Sequence, residues 1–414
     1  MKQPTLLLAL FLVACCLAQT WHTADVALGM DFYQFWAVGQ ALRTTPVQNI
    51  YSAEGRAFVG AELARRAQTD PLGKRHRAVA RFRPVLETYS TPFLYAALSL
   101  FSSSHYEIAY QCYQVFCLLC ALLAVLVFCR LLGYSWTAAL LAAAALIGFF
   151  EPLLSDVRMG NVNQIQLALV ALFCWLASRG DAARRDFLAG LTLGALVLFK
   201  PNMLFVGVLW TWWWLVTKQF KRLAIGGAGV AAALALALAS SAALFGSLRC
   251  WSDWAVALLS MPDNIIPVDP GNFALAMLAH DAWGVNLGAW LMALFGAPAL
   301  IVLWLRREDA REDDALMAVY VVGLGGLIYL LSARLVWLHY YTAAIPLLLA
   351  GLRGDERRAV WATRGLTVAA LVMLCVTPLF GVTDSYAAGW FVSGGALVLA
   401  VATLAALGGK TRGA

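Results

Sequence analysis

A few clusters of polar and aromatic residues interrupt an otherwise apolar chain of 414 residues, and their composition points to group transfer at a phosphate. The first cluster holds Asp25 and then Asp31, Phe32, Tyr33, Phe35 and Trp36. The second holds Tyr89, Ser90, Thr91, Pro92, Phe93 and Tyr95. A third contains Glu151, Asp156, Arg158, Gly160, Asn161, Asn163 and Gln164, and a fourth contains Ser332, Arg334, Trp337, His339, Tyr340 and Tyr341. Lys200 stands between two short apolar runs, followed by Pro201 and Asn202. A carboxylate and cations of this kind suit transfer of a group from a lipid phosphate. A sugar on a polyprenyl phosphate already carries a good leaving group, so an inverting transfer needs one general base to take the acceptor proton. Lys, Arg or His must then stabilise the departing phosphate. These segments contain no Asp-x-Asp box of the kind that binds a metal with a nucleotide sugar, so no metal and no cofactor is expected.

Each cluster also has a plain structural reading. Aromatic residues at helix ends commonly form an interfacial belt, and cations there can meet lipid headgroups. Asp31 is one of six acids in its segment, and position alone does not single it out. What favours chemistry is coincidence, because a basic residue near the end of a membrane span is costly unless a phosphate or a carboxylate meets it.

The elements that must position these clusters are set by composition. Apolar residues make up 62% of the chain and charged residues 13%, against roughly 45–50% and about 25% in soluble domains. The apolar runs are long enough to cross or nearly cross a bilayer core, which takes roughly 20 helical residues, and they do not alternate as barrel strands do. The fold class is therefore all-α, a polytopic membrane protein. About twelve transmembrane helices are expected, at 5–20, 106–129, 137–153, 162–178, 186–199, 203–217, 223–245, 285–305, 316–332, 336–352, 365–382 and 386–407. The run Pro92 to Phe101 is too short to span and fits an interfacial or re-entrant helix. The chain is read as one integral membrane domain over 1–414, with a first extracytoplasmic loop over 21–105 that carries interfacial helices and a transmembrane bundle over 106–407.

Charge distribution orients this bundle. With the N-terminus inside, the inner segments hold 17 of the 30 basic residues, Lys2, Arg130, Arg179, Arg184, Arg185, Lys218, Lys221, Arg222, Arg306, Arg307, Arg311, Arg353, Arg357, Arg358, Arg364, Lys410 and Arg412. Nine more fall in the long 21–105 loop, where the positive-inside rule has little force. The short outer connections keep only Arg158, Lys200, Arg249 and Arg334. All five histidines fall on the same outer side, so chemistry is expected at the extracytoplasmic face of a multi-pass cell-membrane protein. The stretch Glu62 to Arg83 reads as a solvated helix and linker. Leu12, Val13, Ala14 and Cys15 also read as a lipoprotein-type cleavage box after a short basic start. The nine cysteines show neither a disulfide framework nor zinc spacing, Cys250 alone falling in an expected loop, and the net charge of +7 carries no sign of nucleic-acid binding.

The order of these motifs resembles glycosyltransferase family 87, the DUF2029 group of the GT-C superfamily, which includes bacterial polyprenyl-phosphate-mannose-dependent mannosyltransferases. Asp31, Phe32, Tyr33 through Gly39, with Asn49, Ile50 and Tyr51 following, looks like the family's first-loop pattern. Tyr89 to Phe93 is similar to its Tyr-Pro-Pro-Leu segment, with Thr91 in place of the first proline. Gly160, Asn161, Val162, Asn163 is similar to Gly-Gln-x-Asn, with Asn161 replacing Gln. Lys200 with Pro201 follows, and then Ser332 through His339, like Ser-Pro-x-x-Trp-x-His with Arg334 and one inserted residue near the usual proline. The resemblance implies an outward-facing GT-C fold with Asp31 as catalytic base and His339 on the donor phosphate. Topology adds Lys200, Arg158 and Arg334 as further phosphate-binding residues. Tyr33, Tyr89, Asn161, Asn163, Gln164 and Trp337 are expected to bind substrate. The expected partners are a polyprenyl-phosphate sugar donor, most simply mannose, a lipid or glycan acceptor, and membrane lipids, with no nucleic acid. A transporter or flippase of lipid-linked sugars is the alternative, and a non-catalytic scaffold a third reading. Against transport, the two halves show no repeat, and the mid-span positions where transporters bind carry almost no charge.

Overall fold

The computed structural model describes residues 3–44, 49–70, 73–178, 182–261, 268, 271–308, 314–353, 359–380 and 384–408. The orientation residues Lys2, Arg179, Arg311, Arg357, Arg358, Lys410 and Arg412 lie outside them. The order of elements follows the apolar runs. Helix α1 is Gln3–Val26, and the first loop then folds into α2 (Met30–Thr44), α3 (Ala53–Thr69), α4 (Lys74–Phe82) and α5 (Pro92–Leu98). The bundle follows as α6 (Tyr106–Leu131), α7 (Trp136–Phe149), α8 (Glu151–Met159), α9 (Asn163–Ala177), α10 (Ala183–Phe199), α11 (Leu204–Val216) and α12 (Phe220–Phe245). The remaining helices are α13 (Arg249–Leu259), α14 (Leu275–Trp283), α15 (Gly288–Leu305), α16 (Asp314–Ser332), α17 (Ile345–Leu352), α18 (Ala359–Leu374), α19 (Thr377–Phe380) and α20 (Ser385–Gly408).

Each of the twelve expected segments contains helix among the described residues, but not all are long enough to cross a membrane, and three of them break where proline enters. The expected helix at 137–153 is α7 and α8, meeting at 57°. Pro152 sits in the first turn of α8, where its missing N–H costs nothing but where it cannot continue α7. The segment at 336–352 is a 3-10 turn, Leu338–Ala344, leading into α17, which carries Pro346 in its first turn. The segment at 365–382 is α18 and then α19, which contains Pro378, with 381 and 382 outside the described residues. By length and composition six helices are able to cross a membrane among the described residues, α1 (from Pro4), α6, α12, α15, α16 and α20, or seven if α7 and α8 form one bent span. The other apolar helices are shorter. Within the bundle, among the described residues, two helices arise where none was expected, α13 and α14, so Cys250 lies on a helix and not in a loop.

Burial divides the molecule into two main cores. The larger holds the inner faces of α6, α7, α9, α11, α16, α17 and α20. Large apolar side chains on the opposite faces stay exposed, among them Leu7 and Phe11 on α1, Leu236 on α12, and Trp290 and Leu294 on α15. Exposed apolar surface on this scale suits a lipid solvent. The smaller core is aromatic and is shared by the first loop, with Phe32, Tyr33, Trp36 and Tyr95 buried, and the start of α6, with Tyr106, Tyr110 and Tyr113 buried. The stretch read as solvated contributes to it: Val59, Leu63 and Ala67 line one side of α3, and His76, Val79 and Ala80 are buried on α4. Their i, i+4 spacing makes a narrow apolar stripe that a count of charges over the same residues conceals.

Helices α10 and α12 meet backbone to backbone. A Cβ placed on Gly190 would lie 1.9 Å from the Gly226 carbonyl oxygen, and one on Gly229 would lie 2.1 Å from that of Phe187. Small residues at such crossings allow the close packing that holds helices together in lipid. Replacing Gly190 with Val should therefore destabilise the protein by about 1–3 kcal/mol, the usual cost of overpacking. The readout is the thermal midpoint of the detergent-solubilised chain, and an unchanged midpoint would show that this crossing is not tight.

Candidate active site

Two left-handed glycine turns set the site. Gly29 (φ +68°) turns the chain out of α1 into α2, and Gly160 (φ +67°) ends α8. Only glycine adopts this conformation at little cost, and the space is closed as well. A Cβ on Gly29 would overlap the Tyr110 ring at 2.3 Å, and one on Gly160 would meet Phe32 Cβ at 2.9 Å and Gly29 Cα at 3.3 Å. The two turns therefore lie against each other, and the residues just beyond them, Asp31 and Asn161, come face to face. The Asn161 Nδ2 donates to Asp31 Oδ2 at 2.6 Å. Asp31 sits in the first turn of α2, where the helix dipole favours a carboxylate.

Around this pair the third cluster builds a network of amides and one cation. Asn163, the first residue of α9, donates through Nδ2 to Asp156 Oδ1 at 2.8 Å, and the Gln164 backbone N–H donates to Asp156 Oδ2 at 3.3 Å. Asp156, fully buried, thus caps the start of α9. Lys200 leaves the end of α10 and donates from Nζ to Asn163 Oδ1 at 2.9 Å and to Asn161 Oδ1 at 3.3 Å. Its ammonium also lies 3.8 Å from the centre of the Tyr340 ring, a favourable cation–π distance. Its close contacts are thus neutral amides and a π face.

Two further groups approach the carboxylate of Asp31. His339 Nε2 lies 3.9 Å from Oδ2. The ring is buried and Nε2 has no hydrogen-bond partner. Arg83 reaches Oδ1 at 3.9 Å through Nη2, while its Nη1 is tied to Glu87 Oε1 at 2.6 Å. Burial pushes the Asp31 carboxyl above the usual carboxylate range, opposed by the Asn161 hydrogen bond and then by the charges of Arg83 and Lys200. The result is a partly buried carboxylate, its side chain 15% exposed, with two cations and an imidazole around it, Arg83 and His339 each at 3.9 Å. Among the described residues no three His, Cys, Asp or Glu side chains converge as metal ligands.

Of the residues singled out from the sequence, Asp31, Asn161, Asn163, Lys200 and His339 come together, with Gln164 joined through its backbone. The others have separate surroundings. Arg158 pairs with Glu151 on its own helix. Arg334 is exposed, and its backbone carbonyl accepts from Asn272 Nδ2 at 2.7 Å. Tyr33 is buried against Trp36, His76 and Tyr106, Tyr89 carries Arg56 over its ring, and Trp337 borders Gly271. Sequence reasoning missed Arg83, dismissed with a solvated stretch. Its signal was Glu87 four residues on, an oppositely charged partner at hairpin or helical reach.

A family model described as glycosyltransferase family 87 matches residues 88–333 of this chain. The chain belongs to glycosyltransferase family 87. The match takes in Tyr89, Asn161, Asn163 and Lys200, while Arg83 and His339 lie just beyond its two ends and Asp31 lies well before its start. Two family relatives carry the name polyprenol-phosphate-mannose-dependent alpha-(1-2)-phosphatidylinositol mannoside mannosyltransferase. The one from Mycobacterium tuberculosis is 27% identical over 263 residues, 59% of this chain and 53% of its own length. The one from Mycolicibacterium smegmatis is 28% identical over 261 residues, again 59% and 53%. The match thus spans about half the length of these curated relatives. No solved structure matches the chain.

Arg83 holds the Asp31 pKa down across a short gap. Arg83→Gln should move the Asp31 titration to higher pH, read from the carboxyl stretching band in an infrared titration against Asp31→Asn. A titration that stays in place would remove Arg83 from the electrostatics of the site.

Proposed function

We propose that this family 87 protein is an inverting membrane glycosyltransferase that uses a polyprenyl-phosphate sugar, mannose by analogy with the names of its relatives, and a lipid or glycan hydroxyl as acceptor. The observation that carries this reading is the convergence of Asp31, Asn161, Lys200 and His339 from four separate connections. The distribution of basic residues supports placing all four on the extracytoplasmic side. The proposal also keeps the GT-C organisation of twelve helical segments under a first loop over 21–105, with the shorter apolar helices completing the bundle over 106–407.

In the proposed reaction the acceptor oxygen attacks the anomeric carbon as the bond from that carbon to the phosphate oxygen breaks. The acceptor proton passes to Asp31, and the bond electrons leave with the polyprenyl phosphate, which gains one negative charge. A carboxylate whose pKa is raised by burial is a better base than an exposed one. Asn161 fixes the carboxylate by bonding one oxygen and leaves the other side toward Arg83 and the acceptor. Lys200 is suited to the leaving phosphate because its partners are neutral, so its charge is available as charge develops. His339, with an unpaired Nε2 near the same carboxylate, is placed to donate to a phosphate oxygen. Arg158 and Arg334 have no part in this mechanism, the one being paired with Glu151 and the other exposed.

Purified protein given a synthetic polyprenyl-phosphate-mannose donor in the presence of host membranes should transfer the sugar, which a transporter would not. Asp31→Asn should lower turnover by about 10²–10⁴-fold, the usual contribution of a general base, with donor binding retained. Turnover near the wild-type rate in that variant would exclude Asp31 as base. His339→Ala should chiefly raise the donor KM. The rate should fall on the acid side as Asp31 is protonated, with the limb above the ordinary aspartate range because the pKa is raised; a limb within that range would mean that another group controls the reaction.

A further inference from the structure

A second polar cavity lies apart from this site, between the first loop and the start of α13. Its volume is about 170 Å³, and Asn49, Tyr51, Phe245, Ser247, Cys250 and Asp253 are among the residues that line it. A cavity of about 150 Å³ admits one six-membered ring such as benzene, so this one is the size of a single ring. Its lining is unlike an apolar pocket. The Asp253 carboxylate is ion-paired with Arg249 at 3.6 Å, and Arg249 itself is 80% exposed at the rim. Asn49 Oδ1 accepts from the Tyr51 backbone N–H at 2.8 Å, which leaves its amide nitrogen free to donate. Ser247 Oγ accepts from the Arg249 backbone N–H at 3.1 Å, which leaves its hydroxyl proton. Tyr51 and Phe245 stack at 6.1 Å and 14° and form an apolar side. A carboxylate acceptor, two donors and an aromatic side together match a ring that carries vicinal hydroxyls on its edge and C–H groups on its face.

The cavity shares a wall with the active site. Residues 87–91 run between them with hydrogen bonds to both sides. Glu87 holds Arg83 near Asp31, and Thr91 Oγ1 donates to the Phe199 carbonyl, the residue before Lys200, at 3.1 Å. On the other side Thr88 Oγ1 donates to the Ile50 carbonyl at 2.7 Å, the Tyr51 hydroxyl donates to the Ser90 carbonyl at 3.1 Å, and Trp254 Nε1 donates to the Tyr89 carbonyl at 3.0 Å.

We propose that this cavity is an acceptor subsite, which binds a polyhydroxylated six-membered ring, a pyranose or a cyclitol, next to the unit whose hydroxyl reacts at Asp31. The inference rests on the glycosyltransferase reading, and ring binding is testable without turnover. The probes are methyl α-mannopyranoside and myo-inositol, titrated onto the full-length detergent-solubilised protein by saturation-transfer NMR. Asp253→Asn removes the charge at constant shape, and Asn49→Asp keeps the acceptor for Tyr51 while removing the donor. At least one probe should bind saturably, and at least one of the variants that keeps the wild-type thermal midpoint should weaken it about tenfold, or about 1.4 kcal/mol. The probe that binds identifies the ring as sugar or cyclitol. Failure of both probes to bind, or wild-type affinity in every folded variant, overturns the subsite. Asp31→Asn should bind the probe as the wild type does, so loss of the glycosyltransferase reading through retained turnover in that variant is a separate result from loss of the subsite.

Discussion

The contact between the Gly29 and Gly160 turns is the constraint on which the site depends. Each turn ends one helix and starts another, and each is pressed against Tyr110 with no room for a side chain. Nothing longer than hydrogen fits at either position, so the distance between α2 and the α8–α9 corner is set by backbone contact. Asp31 and Asn161 follow at fixed offsets, and two short side chains suffice for the 2.6 Å bond between them. Tyr113 reinforces the corner by donating its hydroxyl to the Asn161 carbonyl at 2.7 Å. The network beyond, through Asn163, Asp156 and Lys200, is built outward from that corner.

The opposite end of α2 is anchored by polar contacts. Trp36 Nε1 donates to the Ser103 carbonyl at 2.7 Å, Gln40 Nε2 to the Ser102 and Ser103 carbonyls, and Arg43 to the Ser99 and Ser102 carbonyls. These donors meet the carbonyls that follow α5, where helical partners run out, although Ser99's also accepts the Ser102 backbone N–H at 3.0 Å. They also fix the rotation of α2 about its axis. The orientation of Asp31 is thus determined at both ends of its helix.

The sequence made the helical class and the polar clusters legible because long apolar runs and their interruptions are local features. Asp31, Asn161, Lys200 and His339 each stand at such an interruption, and a family pattern ordered them. What stayed hidden depends on which side chains meet across the fold. Arg158 has the right charge and place in the chain, yet Glu151 on the same helix takes it. Arg83 lies in a basic stretch whose buried stripe is only three or four residues long. The polar cavity joins Asn49 to Asp253, two hundred residues apart, and no local pattern links them. Breaks at Pro152 and Pro346 were visible as prolines, but the apolar residues around them argued for continuous helices.

The two cores share a helix, and this has a consequence for how the site is held together. Asp31 is carried by α2, whose side chains pack in the aromatic core. His339 is carried by a turn whose Tyr341 and Ala344 pack in the larger core of the bundle. Helix α6 runs through both, giving Tyr106, Tyr110 and Tyr113 to the first and Leu118, Val125 and Phe128 to the second. The reacting groups therefore meet where the two cores adjoin, and α6 is the common spine of that junction.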